Sequence, residues 1–364
     1  MNPLTNSSAL FPILPQPIGI ARMAAQAEHA DDGHLIEFKA LEVRSILNRT
    51  TSKRGLRFAY SINPYRGCEF GCRYCYARYT HEFMELRDPE AFERIIFLKQ
   101  NAAWLLEQEL RRIDPADQIA LGTATDPYQP IERRARITRS LLEVFSRKSG
   151  SRLGIVTHSP LIERALDLLT EIARHNALVV HITITTQDAA LARLLEPRAP
   201  RPDLRFLTVK HLREAGIRTG ILCCPLLPGI TDSEEALDGM ARRAAAVGAS
   251  FLAANPLFLK PCSRPTYLSF VREHFPSLEP DYHRRFDHAD FATKSYRQQM
   301  AAILERACRR HGLGRRSVDV KMTNATPPGS EDLPFAATPP EERDRTPRKP
   351  QASVGSAVQQ RLFA

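Results

Sequence analysis

From residue 58 onward the chain alternates between short β-branched or apolar runs and longer stretches with apolar residues at helical spacing. The runs "FAYSIN" (58–63), "QIALGTA" (118–124), "RLGIVTH" (152–158), "LVVHITIT" (178–185), "RTGILCC" (218–224) and "SFLAAN" (250–255) predict strands. Between them "FLKQNAAWLLEQELRRI" (97–113), "RITRSLLEVFSRK" (136–148), "LIERALDLLTEIARH" (161–175) and "SEEALDGMARRAAAVG" (233–248) predict helices, with Trp104 in the apolar face of the first. "EPRAPRP" (196–202) reads as a proline-rich turn, and "PLLPGITD" (225–232) leads to a helix capped near Asp232 or Ser233. Units of roughly 33 residues have the size of βαβ modules and predict parallel strands, in an open sheet or a barrel.

The strand ends favour the barrel, where chemistry gathers at the C-terminal ends of the strands. The second predicted strand ends in Thr123, Thr125 and Asp126, the third in Thr157, His158 and Ser159, and the fourth in Thr183, Thr185 and Thr186. The fifth ends in Cys223 and Cys224 and the sixth in Asn255. Outside the repeat, Leu35, Ile36, Phe38 and Leu41 belong to a lead-in segment expected to cover one end of the core. "SRPTYLSFVREHF" (263–275) and "SYRQQMAAILERACRRHG" (295–312) predict amphipathic, basic helices over the barrel's seam or mouth. The expected organisation is a disordered tail over 1–33, a barrel with its lead-in over 34–258, a helical extension over 259–322 and a disordered tail over 323–364.

Charge and composition narrow the class. The formal charge is +10; residues 1–33 carry −2 and residues 325–364 cancel, which leaves +12 on the segment between. A basic core leans toward a phosphate-bearing partner such as nucleic acid. No run approaches the ~18 apolar residues of a membrane span, and prolines interrupt the N-terminal apolar stretch, so the chain is read as cytoplasmic. Seven unevenly spaced cysteines then argue for reduced thiols, not a disulfide framework.

Three of those thiols, Cys68, Cys72 and Cys75, fall within "NPYRGCEFGCRYCYAR" (63–78), the loop after the first predicted strand. Thiolates suit zinc and iron–sulfur clusters. A closed zinc site wants a fourth ligand; no second C-x-x-C exists, and His81 is the candidate that would complete one. A [4Fe–4S] cluster held by three cysteines instead leaves one iron open to a small chelating molecule.

The C-x3-C-x2-C spacing, with Tyr74 just before Cys75, resembles the radical S-adenosylmethionine (SAM) superfamily. "GTATDPYQPIE" (122–132), "ITITTQD" (182–188), "LEPRAPRP" (195–202) and "AGIRTGILCCPLLPGITD" (215–232) narrow the resemblance to the branch containing spore photoproduct lyase. It implies an α/β fold, a partial (βα)6 TIM-like barrel, and an enzyme that cleaves SAM reductively to abstract a hydrogen atom. It also implies an external electron donor of the flavodoxin or ferredoxin type. By the same resemblance Cys68, Cys72 and Cys75 would ligate iron and Tyr74 would lie against the adenine. Thr123 and Thr125 would meet the methionyl part of the cofactor, and Thr185 with Arg198 the ribose or carboxylate.

Two departures matter. His158 stands where relatives often carry lysine, and Thr123 stands where spore photoproduct lyase has the cysteine that returns hydrogen to the thymine radical. An O–H bond is a far poorer hydrogen-atom donor than S–H, so repair of the spore photoproduct itself is not expected. Cys223 and Cys262 are candidate replacements; Cys223 and Cys224 must point to opposite faces of their strand. Cys308, in an arginine-rich helix, reads as structural. Two rival readings stay open at this point: a metal-bearing nucleic-acid-binding module, and radical chemistry on a peptide or small metabolite.

Overall fold

The computed structural model describes residues 36–50, 58–86 and 88–313; Leu35 and the two tails lie outside them. Ten strands occur in the described residues: β1 (Glu37–Leu41), β2 (Leu47–Arg49), β3 (Tyr60–Ile62), β4 (Tyr65–Arg66), β5 (Ile95–Lys99), β6 (Gln118–Leu121), β7 (Arg152–Thr157), β8 (Ala177–Thr183), β9 (Thr219–Leu226) and β10 (Leu252–Pro256). β3, β6, β7, β8, β9 and β10 lie side by side in chain order, each parallel to the next, and they are the six strands that the apolar runs predict. β2 adds an antiparallel edge beside β3. β10 and β2 stay at opposite edges of the sheet, so the barrel is partial.

Helices cover the outer face because their apolar stripes have nowhere else to go. Leu141 and Phe145 of Ile137–Ser146, Leu169 and Ile172 of Leu166–His175, and Leu237 and Met240 of Glu234–Ala246 meet Ile119, Ile155, Val180 and Ile221 in one core. Each such side chain, fully buried, contributes roughly 1.5–3 kcal/mol. β8 is enclosed along its whole length, which its unbroken apolar run foreshadows. The helix at Glu234 starts where expected: Ser233 Oγ accepts a hydrogen bond from Ala236 N at 3.1 Å. On the concave face Gly220 is obligatory, because a Cβ there would enter the ring of Phe251.

Several expectations are corrected. The helix predicted over 97–113 spans only Ala102–Glu109; the β-branched Ile95 and Ile96 begin β5, which runs to Lys99. Ala102, Leu105 and Leu106 set the buried face of that helix, and this turns Trp104 outward, 65% exposed. The lead-in forms β1, which pairs with β5 in a second sheet ordered β1-β5-β4. Phe38 therefore lies on the surface with the Arg134 guanidinium 5.5 Å from its ring centroid, and only Ile36 and Val43 of this segment's first half reach the core. Two helices, Ala189–Leu195 and Pro202–Glu214, flank the proline-rich turn and have no counterpart in the sequence reading.

The extension divides its work. Lys294–Arg310 sends Met300, Ile303, Leu304 and Cys308 into the main core beside β10, with Arg306 and Arg310 paired to Glu234 and Asp238. Arg264–His274 and Glu279–Phe286 place Tyr267, Phe270, Val271, Tyr282 and Phe286 in a second core shared with Phe70, Tyr74 and Phe92. The last helix therefore packs beside the β10 edge, and the other two pack beside the cysteine loop. Among the described residues no helix is long and apolar enough to cross a membrane.

Candidate active site

The cysteine loop follows β4, at the C-terminal end of β3, and other elements hold it by its backbone. Cys68 N donates to Phe92 O at 2.9 Å and Arg73 N to Leu195 O at 2.9 Å, while a turn within the loop bonds Cys75 N to Cys72 O at 3.1 Å. Beneath the loop the enclosed carboxylate of Glu93 binds the guanidinium groups of both Arg78 and Arg198. Arg78 also donates to the carbonyl of Cys72 at 3.3 Å, and Arg198 to the carbonyl of Glu69. The fit is close enough to demand glycine: at Gly71, with φ +63, a Cβ would collide with Arg198 Nη2 and Glu93 Oε2.

All three loop cysteines are free thiols; Cys68 and Cys72 are buried and Cys75 half-buried. Burial pushes all three thiols up, with further increments from Asp126 on Cys68, from Glu196 on Cys72 and from the cysteines on one another. Such thiols release protons to a strong Lewis acid and to little else. Among the described residues no three His, Cys, Asp or Glu side chains converge to share one ion. A cube of four irons asks for something different, thiolates on separate irons, and three neighbouring, mutually repelling sulfurs suit it. His81 does not join them: its Nε2 bonds Ile95 O at 2.9 Å and its ring packs against Phe92 and Phe97.

A second buried network ties the loop to β8. Glu196 receives the hydroxyls of Tyr74 and Thr185, the latter at 2.7 Å, and the guanidinium of Arg205. Arg205 goes on to the carbonyls of Thr183 at 3.1 Å and Pro200 at 2.7 Å. Burial alone would raise the Glu196 carboxyl, but the charges of Arg205 and His158 and the donated hydrogen bonds outweigh it and hold the group at about 2.

The polar strand ends largely bond one another. Asp126 accepts from Thr157 Oγ1 at 2.6 Å, from His158 N at 2.7 Å and from Tyr128 N at 2.9 Å. Its Oδ2 also lies 3.2 Å from His158 Nδ1, which orients the ring and leaves the enclosed Nε2 without a partner. That ring faces Phe70 of the cysteine loop, 6.0 Å between centroids, so a buried polar atom with no partner among the described residues lies beside the loop. Thr125 is engaged: its hydroxyl donates to Gly67 O at 2.6 Å and accepts from Gln129 at 3.1 Å. Thr123 Oγ1 lies 3.4 Å from Asn63 Nδ2, and its carbonyl receives the Tyr76 hydroxyl. Arg198 likewise points under the loop toward Glu93, away from the strand ends.

The other cysteines separate cleanly. Cys223 is enclosed in the main core with its thiol toward Thr185 O at 3.5 Å. Cys224 shares the concave face of β9 with Gly220, half-buried and 3.9 Å from Asn255 Nδ2. Cys262 lies against the cysteine loop, its Sγ 3.8 Å from Tyr76 O, while Ser263 Oγ donates to Cys75 O at 2.6 Å. Cys308 is buried, as its helix suggests.

Sequence reasoning missed Glu93, Glu196, Arg205, Glu69 and Gln129. Gln129, fully enclosed, accepts from Glu69 N at 2.9 Å and donates to Gly67 O at 3.3 Å, so the amide of "TDPYQP" braces the loop. The signal for Glu196 and Arg205 was acid and arginine flanking three prolines.

Comparison with known proteins places this geometry. A family model described as the radical SAM superfamily matches residues 62–241. An uncharacterised protein of Mycobacterium tuberculosis is 32% identical over 286 residues, 78% of this chain and 83% of its own length. Another from Methanocaldococcus jannaschii is 28% identical over 175 residues, 48% of this chain and 63% of its own. Among solved structures, one spore photoproduct lyase variant is 15% identical with a TM-score of 0.57, covering 84% of this chain and 86% of its own. A second, with bound S-adenosylmethionine and dinucleoside spore photoproduct, is 15% identical with a TM-score of 0.52, covering 75% and 78%. The backbone of that enzyme and the sequence signature of its superfamily meet on the same six-stranded barrel, and the chain belongs to the radical SAM superfamily.

Proposed function

We propose that the protein holds a [4Fe–4S] cluster on Cys68, Cys72 and Cys75, binds SAM beside it, and abstracts a hydrogen atom from a nucleic acid. When bound, the cluster and SAM supply the 5′-deoxyadenosyl radical by reductive cleavage, with an electron from an external flavodoxin- or ferredoxin-type donor. The observation that carries this reading is the loop: three thiols, two of them buried, packed at the C-terminal end of the first barrel strand.

The remaining work falls to the chain's own side chains. The second core, from Phe70 to Phe286, shields Cys68 and Cys72 from water. Glu196 fixes Tyr74, whose ring would lie against the adenine, while His158 Nε2 and Thr123 would offer polar contacts to the cofactor. Thr125 and Arg198 serve by shaping the loop. Supporting a nucleic-acid substrate is an aromatic wall next to Cys75. Phe258 stacks on Phe291 at 4.5 Å, Tyr76 is 6.0 Å from Phe258, and Lys260 Nζ sits 3.9 Å from the Tyr79 ring centroid. Tyr76 and Phe291 are 39% and 40% exposed, surfaces on which unpaired bases stack for ~1–3 kcal/mol each.

Spore photoproduct repair itself is not proposed, because Thr123 supplies no thiol. Hydrogen return is assigned to Cys262 at the loop or Cys224 on the concave face, in place of the enclosed Cys223. The test is anaerobic turnover with dithionite, SAM and deuterated oligonucleotides. The reading predicts that oligonucleotide raises 5′-deoxyadenosine output and that the nucleoside carries deuterium, both reduced at least tenfold by Phe291→Ala with Tyr76→Ala. Output that is indifferent to oligonucleotide, with peptides or small metabolites accelerating it instead, overturns the substrate assignment.

A further inference from the structure

A cavity lies between the segments that follow β6 and β7, and none of Tyr76, Phe258 and Phe291 lines it. It encloses about 220 Å³ and is lined by Tyr128, Glu132, Arg136, Arg139, Leu161, Arg164 and Ala165. Three arginines line this one small cavity, and Arg136 and Arg164 are exposed, within reach of an anion arriving from solvent. Arg139 has one in Asp167, which it grips through both terminal nitrogens at 3.2 and 2.6 Å. Arg136 and Arg164 make no ion pair among the described residues. Glu132 does not neutralise them from within: its two oxygens already accept the Tyr65 hydroxyl, Thr138 N at 2.9 Å and Arg139 N at 3.0 Å.

The second observation is independent of charge. Tyr128 is 2% exposed, yet its hydroxyl has no hydrogen-bond partner among the described residues. A buried phenol without an acceptor is rare, and here it lines the cavity that the arginines surround. The backbone adds a third. Arg136 sits at φ +52 between Glu132–Ala135 and Ile137–Ser146, a left-handed position that asparagine or glycine occupies more easily. That conformation places its side chain on this cavity and on a neighbouring one of about 420 Å³ lined also by Gln100, Ser140 and Glu143.

We propose that this cavity is a binding site for a phosphate group, taken by the Arg136 and Arg164 guanidinium groups and by the Tyr128 hydroxyl as donor. Guanidinium pairs phosphate in bidentate fashion, and the phenol completes the donor set that one phosphate oxygen needs. The volume is below the roughly 300–1,000 Å³ of sites that enclose drug-sized ligands, so it takes the phosphate group and leaves the rest of the molecule outside. The phosphate arrives either on a free nucleotide or as a backbone phosphate of a nucleic acid. Occupancy reports to the cysteine loop through one residue, since Gln129, next to Tyr128, bonds Glu69 N and Gly67 O.

The experiment is calorimetric titration of the anaerobically purified, cluster-loaded full chain with inorganic phosphate, a nucleoside 5′-monophosphate and a short single-stranded oligonucleotide. The expected result is phosphate binding that weakens at least tenfold in Arg136→Ala with Arg164→Ala, and about threefold or more in Tyr128→Phe. Iron content and SAM cleavage without oligonucleotide stay at the wild-type level in both variants. If the double variant weakens the mononucleotide and leaves the oligonucleotide unchanged, the phosphate comes from a free ligand; if it weakens the oligonucleotide as well, the backbone supplies it. Absence of phosphate binding by the wild-type protein overturns the proposal. So does equal affinity in wild type and the double variant, which would mean that water alone satisfies Tyr128.

Discussion

Replacing Glu196 by alanine tests whether a buried charge network positions the cysteine loop. The carboxylate is fully enclosed, and it joins Tyr74 of the loop, Thr185 beyond β8 and Arg205 of Pro202–Glu214. Its removal leaves the Arg205 side chain, 1% exposed, as an uncompensated buried charge, which costs about 3–5 kcal/mol. The acid linkage gives a similar figure: a carboxyl held at about 2 against an ordinary 4.5 is worth about 3 kcal/mol near neutrality. At about 2–4 °C per kcal/mol, the variant melts roughly 6–20 °C below wild type. Glu196→Ala with Arg205→Leu removes both charges and recovers most of the loss. The sign of the pH dependence follows from the depressed carboxyl. Its contribution is complete above about pH 4.5 and is lost as pH falls toward 2, so the gap between wild type and Glu196→Ala closes in acid. Calorimetry under anaerobic conditions reads both effects. A single variant melting within about 2 °C of wild type at pH 7 refutes the reasoning, as does a double variant no more stable than the single one.

Gly71→Ala forces a Cβ against Arg198 and Glu93 at φ +63, so anaerobic reconstitution should leave the variant with less than half the wild-type iron; full loading would mean that the loop has slack. Trp104 is the chain's one tryptophan and is 65% exposed, so its emission should be solvent-like and fully quenched by acrylamide in the native protein. Trp104→Ala should shift the melting temperature by about 2 °C or less; a larger loss would place the side chain in the core.

Six strands were legible because each is a β-branched or apolar run between helical stripes, and parallel strands enclosed on both faces carry that signature. β1 and β5 were not, because their residues are largely exposed or half-buried and their pairing is set by partners more than fifty positions away. Trp104 misled for a related reason: one large apolar residue draws the eye, but the face is set by Ala102, Leu105 and Leu106 together. At the site, thiol spacing was local and readable. Glu93, Glu196 and Arg205 act at sequence distances of up to 122 residues from the groups they hold, and an acid and an arginine flanking three prolines do not by themselves announce a buried ion pair. The choice between Cys223 and Cys224 needed one fact that strand alternation alone does not supply, namely which face Gly220 shares with Phe251.

The central claim is that three thiols of one loop hold an iron–sulfur cluster that SAM can reach. Iron and sulfide should be counted per chain, with 5′-deoxyadenosine formation, in the wild type and in Cys68→Ala, Cys72→Ala and Cys75→Ala after anaerobic reconstitution. The account predicts about four irons and measurable nucleoside in the wild type, and the loss of both in each variant. Wild-type iron content and nucleoside formation in any one of the three variants, or one zinc in place of iron in the reconstituted wild type, would contradict it.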